Sequence, residues 1–432
     1  MSASAMRRGA CPTLPAPMAT GDGLLARIAL AAPMRPSQLT GLAKLSQCCG
    51  NGIVELSARG SLQVRGLTSA SAPDFAAGVG ALGIAVREGL AVETNPLAGL
   101  DPMAALDPRP LAQEIAQLAL PLAGGLAPKV TVIVDGGGAL HLDGLAADIR
   151  LTALDADRLA LEAGGVALRV VERHEAAGTV FRLLALLAAQ GSAARMADLV
   201  ARSLRPHPEV PPQAASKDVE ARQRPSVASI LRGSGFARAP QDEVVKETSH
   251  QRPPAEPIGI HSLTDGRLAL GLGLAFGQTD HAAVAGLAAL AERAGASSVA
   301  TCFGRALLII GVTEPSADMG RREAAALGFI TDPNDPRRSV SACPGRPACA
   351  SGRIETRALA AELAPLAAGR SLHVSGCAKG CAHPGAADLT IVGVDGGAGL
   401  VVEGVPRDAP RLIVLETELA AAAHRILEKH GG

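Results

Sequence analysis

The chain has 432 residues, 48% of them apolar, and Lys+Arg and Asp+Glu each number 41. Such apolar content excludes a disordered chain, and the length allows two or more domains. The balanced charge supports neither a nucleic-acid nor a membrane partner, and no apolar run reaches the roughly 18 uncharged residues of a membrane span.

The N-terminus, MSASAMRRGACPTLPAP, has Arg7 and Arg8 but no apolar stretch after them, so it reads as a frayed tail, not an export signal. With neither Trp nor Tyr, the core has to come from Leu, Ala, Val and Ile. Eight cysteines, several of them clustered, suggest metal ligation in a reducing cytoplasm and not a disulfide framework.

In chain order, GDGLLARIALAAPMRPSQLTGLAKLSQCCGNGIVELS predicts strand, helix, strand. Residues 205–257 are proline-rich, polar and without periodicity, and read as a linker. TDGRLALGLGLAFGQTDHAAVAGLAALAERAGASSVAT then repeats strand, helix, strand, with Leu287, Leu290, Ala291 and Ala294 on one helix face. The glycines of LGLGLA (270–275) and DGGGAL (135–140) lack the spacing of a dinucleotide site.

The chain reads as two copies of one α+β unit. Gly66 meets Gly311 and Thr68 meets Thr313 at a shift of 245. ETNPLAGLDPMAALDPRPLAQEI lies over SACPGRPACASGRIETRALAAEL at a shift of 248, and VDGGGALHLDGLAAD over VSGCAKGCAHPGAAD at 240, ungapped. Cys343, Cys349, Cys377 and Cys381 thereby fall opposite Asn95, Asp101, Gly137 and His141. One shared scaffold carries four thiols in its second copy only.

The thiols sit in two Gly/Pro loops as C-x5-C and C-x3-C. Soft thiolates favour zinc, copper(I) or iron–sulfur. Structural zinc usually takes tighter knuckles, whereas a [4Fe–4S] cube accepts ligation by four cysteines. Cys11, Cys48, Cys49 and Cys302 read as core or surface thiols, with Cys302 starting a strand.

ACPGRPAC…VSGCAKGCAHP resembles the cluster-binding motif of the sirohaem sulfite and nitrite reductases. NPLAGLDP (95–102), RPLAQEI (109–115) and PKVTVIVDGGG (128–138) look like first-copy motifs of that family's short precorrin-3B synthase branch. The resemblance runs roughly from Pro12 to Lys429. It implies an α+β fold: an internal, pseudo-two-fold duplication of ferredoxin-like half-domains (12–84 and 258–318) and nitrite/sulfite reductase-type domains (85–204 and 319–430), joined by the linker.

The resemblance further implies one [4Fe–4S] cluster on Cys343, Cys349, Cys377 and Cys381. The implied reaction hydroxylates precorrin-3A at its carbon-20 meso position with dioxygen, closing a γ-lactone. NADH would act through a separate reductase as electron donor. Sirohaem belongs to the alternative, a sulfite or nitrite reductase. That alternative is disfavoured by Thr131, which stands where those enzymes carry a second lysine. A carboxylate-rich substrate calls for guanidinium groups. ARGSLQVRG places Arg59, Gln63 and Arg65 on alternate strand positions as substrate-binding candidates, and the resemblance adds Lys129. It also implies a mononuclear non-haem iron, for which His141 and Asp143, near Asp135, are the candidate ligands. One composite site at the junction of the copies is the expectation.

Overall fold

The computed structural model describes residues 12–204, 252–367, 369–383 and 385–429. Of the expected linker only 252–257 falls within that range; Cys11 falls outside it. The chain divides into two compact units, one of residues 1–86 with 257–432, the other of 87–256.

The first unit begins with β1 (Met18–Thr20), β2 (Gly23–Ile28), α1 (Pro36–Cys49), β3 (Ile53–Leu56), β4 (Leu62–Leu67) and α2 (Ser71–Ala81). Pro36 opens α1, where a missing N–H costs nothing. The Gln38 side chain accepts from the Arg35 N–H and donates to the carbonyls of Leu82 and Gly83, tying the start of α1 to the end of α2. Leu62, Val64 and Leu67 face the core, and Gln63 and Arg65 take the opposite face of β4.

The second unit holds β5 (Ala91–Thr94), α3 (Arg109–Ala119), β6 (Thr131–Asp135), β7 (Ile149–Ala153), β8 (Arg158–Ala163), β9 (Val166–Glu172), α4 (Arg173–Ala188) and α5 (Met196–Leu204). Its sheet runs β5-β6-β7-β8-β9, the first two pairings parallel and the rest antiparallel. The helices cover a core of Leu, Val, Ile and Ala.

The chain returns to the first unit with β10 (Gly259–Ser262), β11 (Leu268–Gly273), β12 (Gln278–Asp280), α6 (His281–Arg293), β13 (Ser298–Cys302), β14 (Ala306–Val312) and α7 (Glu314–Ala326). Cys302 ends β13, because Gly304 and Arg305, at φ 70° and 61°, turn the chain directly after it. Strand β12 pairs with β3, Gln278 opposite Glu55, so the second half completes the sheet of the first. Leu39 and Leu42 of α1 share one core with Leu287 and Ala288 of α6.

The last stretch contains β15 (Val340–Ala342), α8 (Thr356–Ala367), β16 (Leu372–Ser375), β17 (Ala387–Val394), β18 (Gly397–Gly404), β19 (Leu412–Val414) and α9 (Leu419–Lys429). The order β15-β16-β17-β18-β19 repeats the directions of the sheet in the other unit: parallel, parallel, antiparallel, antiparallel. The fold is therefore an internal duplication. Among the described residues no helix is long and apolar enough to cross a membrane.

Candidate metal centre

Strands β15 and β16 are parallel neighbours, Ala342 opposite Val374, so the loops that follow them leave the same end of the sheet. Cys343 lies one residue past β15 and Cys377 two past β16. The Gly376 N–H donates to Cys343 Sγ at 3.1 Å. A Cβ on Gly376 would stand 3.2 Å from the Cα atoms of both Gly345 and Gly352, and 3.5 Å from Cys343 Sγ. Three glycines thus let the two loops close on each other.

Burial pushes the Cys343 thiol up; the N–H groups of Gly376 and Gly345 pull it down, and the sulfurs of Cys349 and Cys377 push it up again. Cys381 is exposed, yet its thiol is raised as well, by partial burial first and then by Cys343 and Cys377, while Arg65 and Lys379 pull it down. The four thiols therefore feel one another. They are nevertheless spread out. Among the described residues the trio of candidate ligand atoms mutually within 4.8 Å is Asp135, His141 and Asp143, and no three of the sulfurs meet that limit. Two sulfurs on one zinc ion, each about 2.3 Å from it, stand no more than about 4.6 Å apart. The spacing fits a multi-iron group with one iron per sulfur better than a single ion.

A piece of the N-terminal hairpin lies against this centre. The Ala350 N–H donates to the Gly21 carbonyl at 2.9 Å, and a Cβ on Gly21 would fall 2.3 Å from Cys349 Sγ. Asp22, next in the chain, accepts two 2.8 Å hydrogen bonds from Arg65, which also donates to Glu55 at 2.8 Å. Arg65 is 5% exposed. Burial alone would raise the Asp22 carboxyl, but the Arg65 guanidinium holds it below the usual carboxylate range.

Gln63 shares this buried face, its amide oxygen accepting from Arg27 at 3.1 Å. Arg59 does not lie on the strand. It belongs to the turn between β3 and β4, which Gly60, at φ 79°, closes by donating to the Ser57 carbonyl. Lys129 is exposed in the turn before β6, in the other unit. In the thiol loops Arg346 pairs with Glu416, and Lys379 donates to Ser351 Oγ.

With this geometry in hand, comparison with known proteins is decisive. The chain is 35% identical to a precorrin-3B synthase of Sinorhizobium sp. over 451 aligned residues, 98% of this chain and 89% of that protein. It belongs to the precorrin-3B synthase family. A shorter stretch, 32% of this chain and 26% of the other, is 25% identical to an assimilatory ferredoxin-dependent nitrite reductase of Haloferax mediterranei. The NirA protein of Mycobacterium tuberculosis shares the fold, with a TM-score of 0.63 at 18% identity over 94% of this chain and 80% of that one. No family model matches.

In this member of the precorrin-3B synthase family the pair expected to hold a second iron does meet: His141 Nδ1 is 3.1 Å from Asp143 Oδ2. Yet the carboxylates are already engaged. Asp143 takes a two-point ion pair from Arg252, and Asp135 accepts from Asn95 Nδ2 and from the N–H groups of Gly137 and Leu142. His141 Nε2 lies 2.9 Å from the Pro253 carbonyl. These donors form a loop staple closed by Arg252, and their ligand atoms lie within 4.8 Å of one another, the proximity a metal ion needs.

The sequence pattern showed the thiols and Arg65. It missed Gly21 and Asp22, whose only outward sign is the turn-forming GDG at 21–23.

Proposed function

We propose that the chain is a precorrin-3B synthase that holds one [4Fe–4S] cluster on Cys343, Cys349, Cys377 and Cys381 and hydroxylates precorrin-3A in the cytoplasm. The observation that carries this is a set of four thiols close enough to perturb one another, on a chain 35% identical over nearly its whole length to a precorrin-3B synthase.

One oxygen atom of dioxygen enters the carbon-20 meso position and the other leaves as water. Two electrons and two protons come from an external donor, NADH through a reductase. A ring acetate closes the γ-lactone. When bound, the cluster would supply single electrons. Cys343 and its neighbours hold it, and Gly21 covers Cys349 and limits access of water. Arg65, locked between Asp22 and Glu55, sets a fixed positive charge beside Cys381. Arg59 and Lys129 are the groups we assign to substrate carboxylates, and Gln63 holds Arg27.

Anaerobically purified protein should show a broad shoulder in the visible blue and no chlorin bands. With precorrin-3A, dioxygen and a reducing system it should yield a product heavier by one oxygen atom. Intense chlorin bands together with sulfite or nitrite turnover would replace this reading with that of a sirohaem reductase, which the nitrite reductase relative favours.

A further inference from the structure

A cavity of about 530 Å3 opens within the first unit, beside the thiol loop. That volume lies inside the range of roughly 300–1,000 Å3 typical of small-molecule sites. Arg305, Arg337, Arg338, Ser341 and His383 are part of its polar lining, and among the described residues no Asp or Glu lines it. Phe276, Leu274, Ile330 and Leu372 add an apolar wall. His383 stands two residues past Cys381, so the cavity shares a loop with the cluster ligands.

Arg305 is held there by its turn. Its guanidinium donates to Ser341 Oγ at 2.9 Å and to the Val340 carbonyl at 3.4 Å. Among the described residues no carboxylate lies within ion-pair distance of it; burial disfavours its charge, and the more distant Glu55 offsets only part of that. Arg337 is neutralised by Asp335. A desolvated guanidinium without a counter-ion is costly unless an anion arrives to satisfy it. A second observation lies on the same sheet. Ser341, His373 and Thr390 stand in register across β15, β16 and β17, on the face away from the Leu372–Val374 core. His373 is wholly buried, neither ring nitrogen has a partner, and its ring meets that of His383 edge-on at 5.7 Å.

We propose that this cavity anchors a carboxylate arm of the tetrapyrrole, gripped by Arg305 and Arg338 while the ring edge lies on the apolar wall. The proposal rests on the tetrapyrrole reading above and assigns a subsite to the second copy, where the sequence had suggested only the first. A guanidinium fork matches a carboxylate in two-point fashion, and phosphate offers the same oxygens. The apolar wall argues for a ring-borne acid.

The test uses the full chain with its cluster, uroporphyrin III as an octacarboxylate probe and inorganic phosphate as competitor. Fluorescence quenching should show uroporphyrin bound. Arg338→Ala and Arg305→Lys should each weaken it roughly 10- to 100-fold, the loss of a charge-assisted hydrogen bond. Arg321→Ala, on the outer helix α7, should leave binding unchanged, and circular dichroism checks that each variant folds. Millimolar phosphate should displace the probe poorly. Full affinity in both cavity variants, or displacement by phosphate at equal concentration, overturns the subsite. Turnover of precorrin-3A is scored separately. Wild-type turnover with unchanged KM in the variants sinks the subsite and spares the proposed reaction. A wild type that neither binds nor turns over sinks both.

Discussion

Arg65 grips Asp22 through two hydrogen bonds of 2.8 Å, and this buried pair fixes the turn whose Gly21 rests on the Cys349 sulfur. A charged pair on one sheet thereby anchors a cover over thiols carried by another.

Asp22→Asn leaves Arg65 with Glu55 alone. Breaking a buried pair costs about 3–5 kcal/mol. We expect the variant to lose its visible-blue absorbance several-fold faster in air and Cys349 of the apo chain to alkylate faster. Unchanged bleaching and alkylation would show that the hairpin covers nothing of importance.

Gly21→Ala places a methyl 2.3 Å from Cys349 Sγ. The backbone there is not in the left-handed region, so the effect is purely steric. The expected outcome is a folded protein with cluster occupancy well under half that of wild type, read by iron and sulfide analysis.

Iron analysis also addresses the second unit. Because Arg252 occupies Asp143, reconstituted wild type and His141→Ala should both carry about four irons per chain, those of one cluster. A fifth iron that vanishes with His141 would show that Arg252 yields its place.

His373 provides a pH dependence. Burial first, then His383 and Arg305, lower its pKa to about 4, against 6.5 when unfolded. The folded state therefore resists the proton that the unfolded chain accepts. Stability should be intact above pH 6.5 and fall by roughly 3 kcal/mol as pH drops toward 4. In His373→Val the denaturation midpoint should flatten over that window; an identical slope would place the acid sensitivity elsewhere.

Arg59→Ala should raise KM for precorrin-3A roughly tenfold, a lost charge-assisted contact, with iron content unchanged. A fall in kcat alone would move Arg59 from binding to a different role.

The thiols and the duplication were legible in the sequence because they depend on residue type and constant spacing, which local chemistry reads directly. Arg65 was legible as a cation but not as a locked one. Its partners Asp22 and Glu55 are 43 and 10 residues away, and only strand pairing brings them together. Arg59 was misplaced by the same logic: alternation holds only on a strand, and Gly60 ends the alternation with a turn. Tertiary structure alone decided that Gly21 covers Cys349, that Arg252 closes Asp143, and that Arg305 faces a cavity without a carboxylate. Each depends on packing between segments far apart in the chain, where desolvation and long-range pairing, not composition, set what a side chain can do.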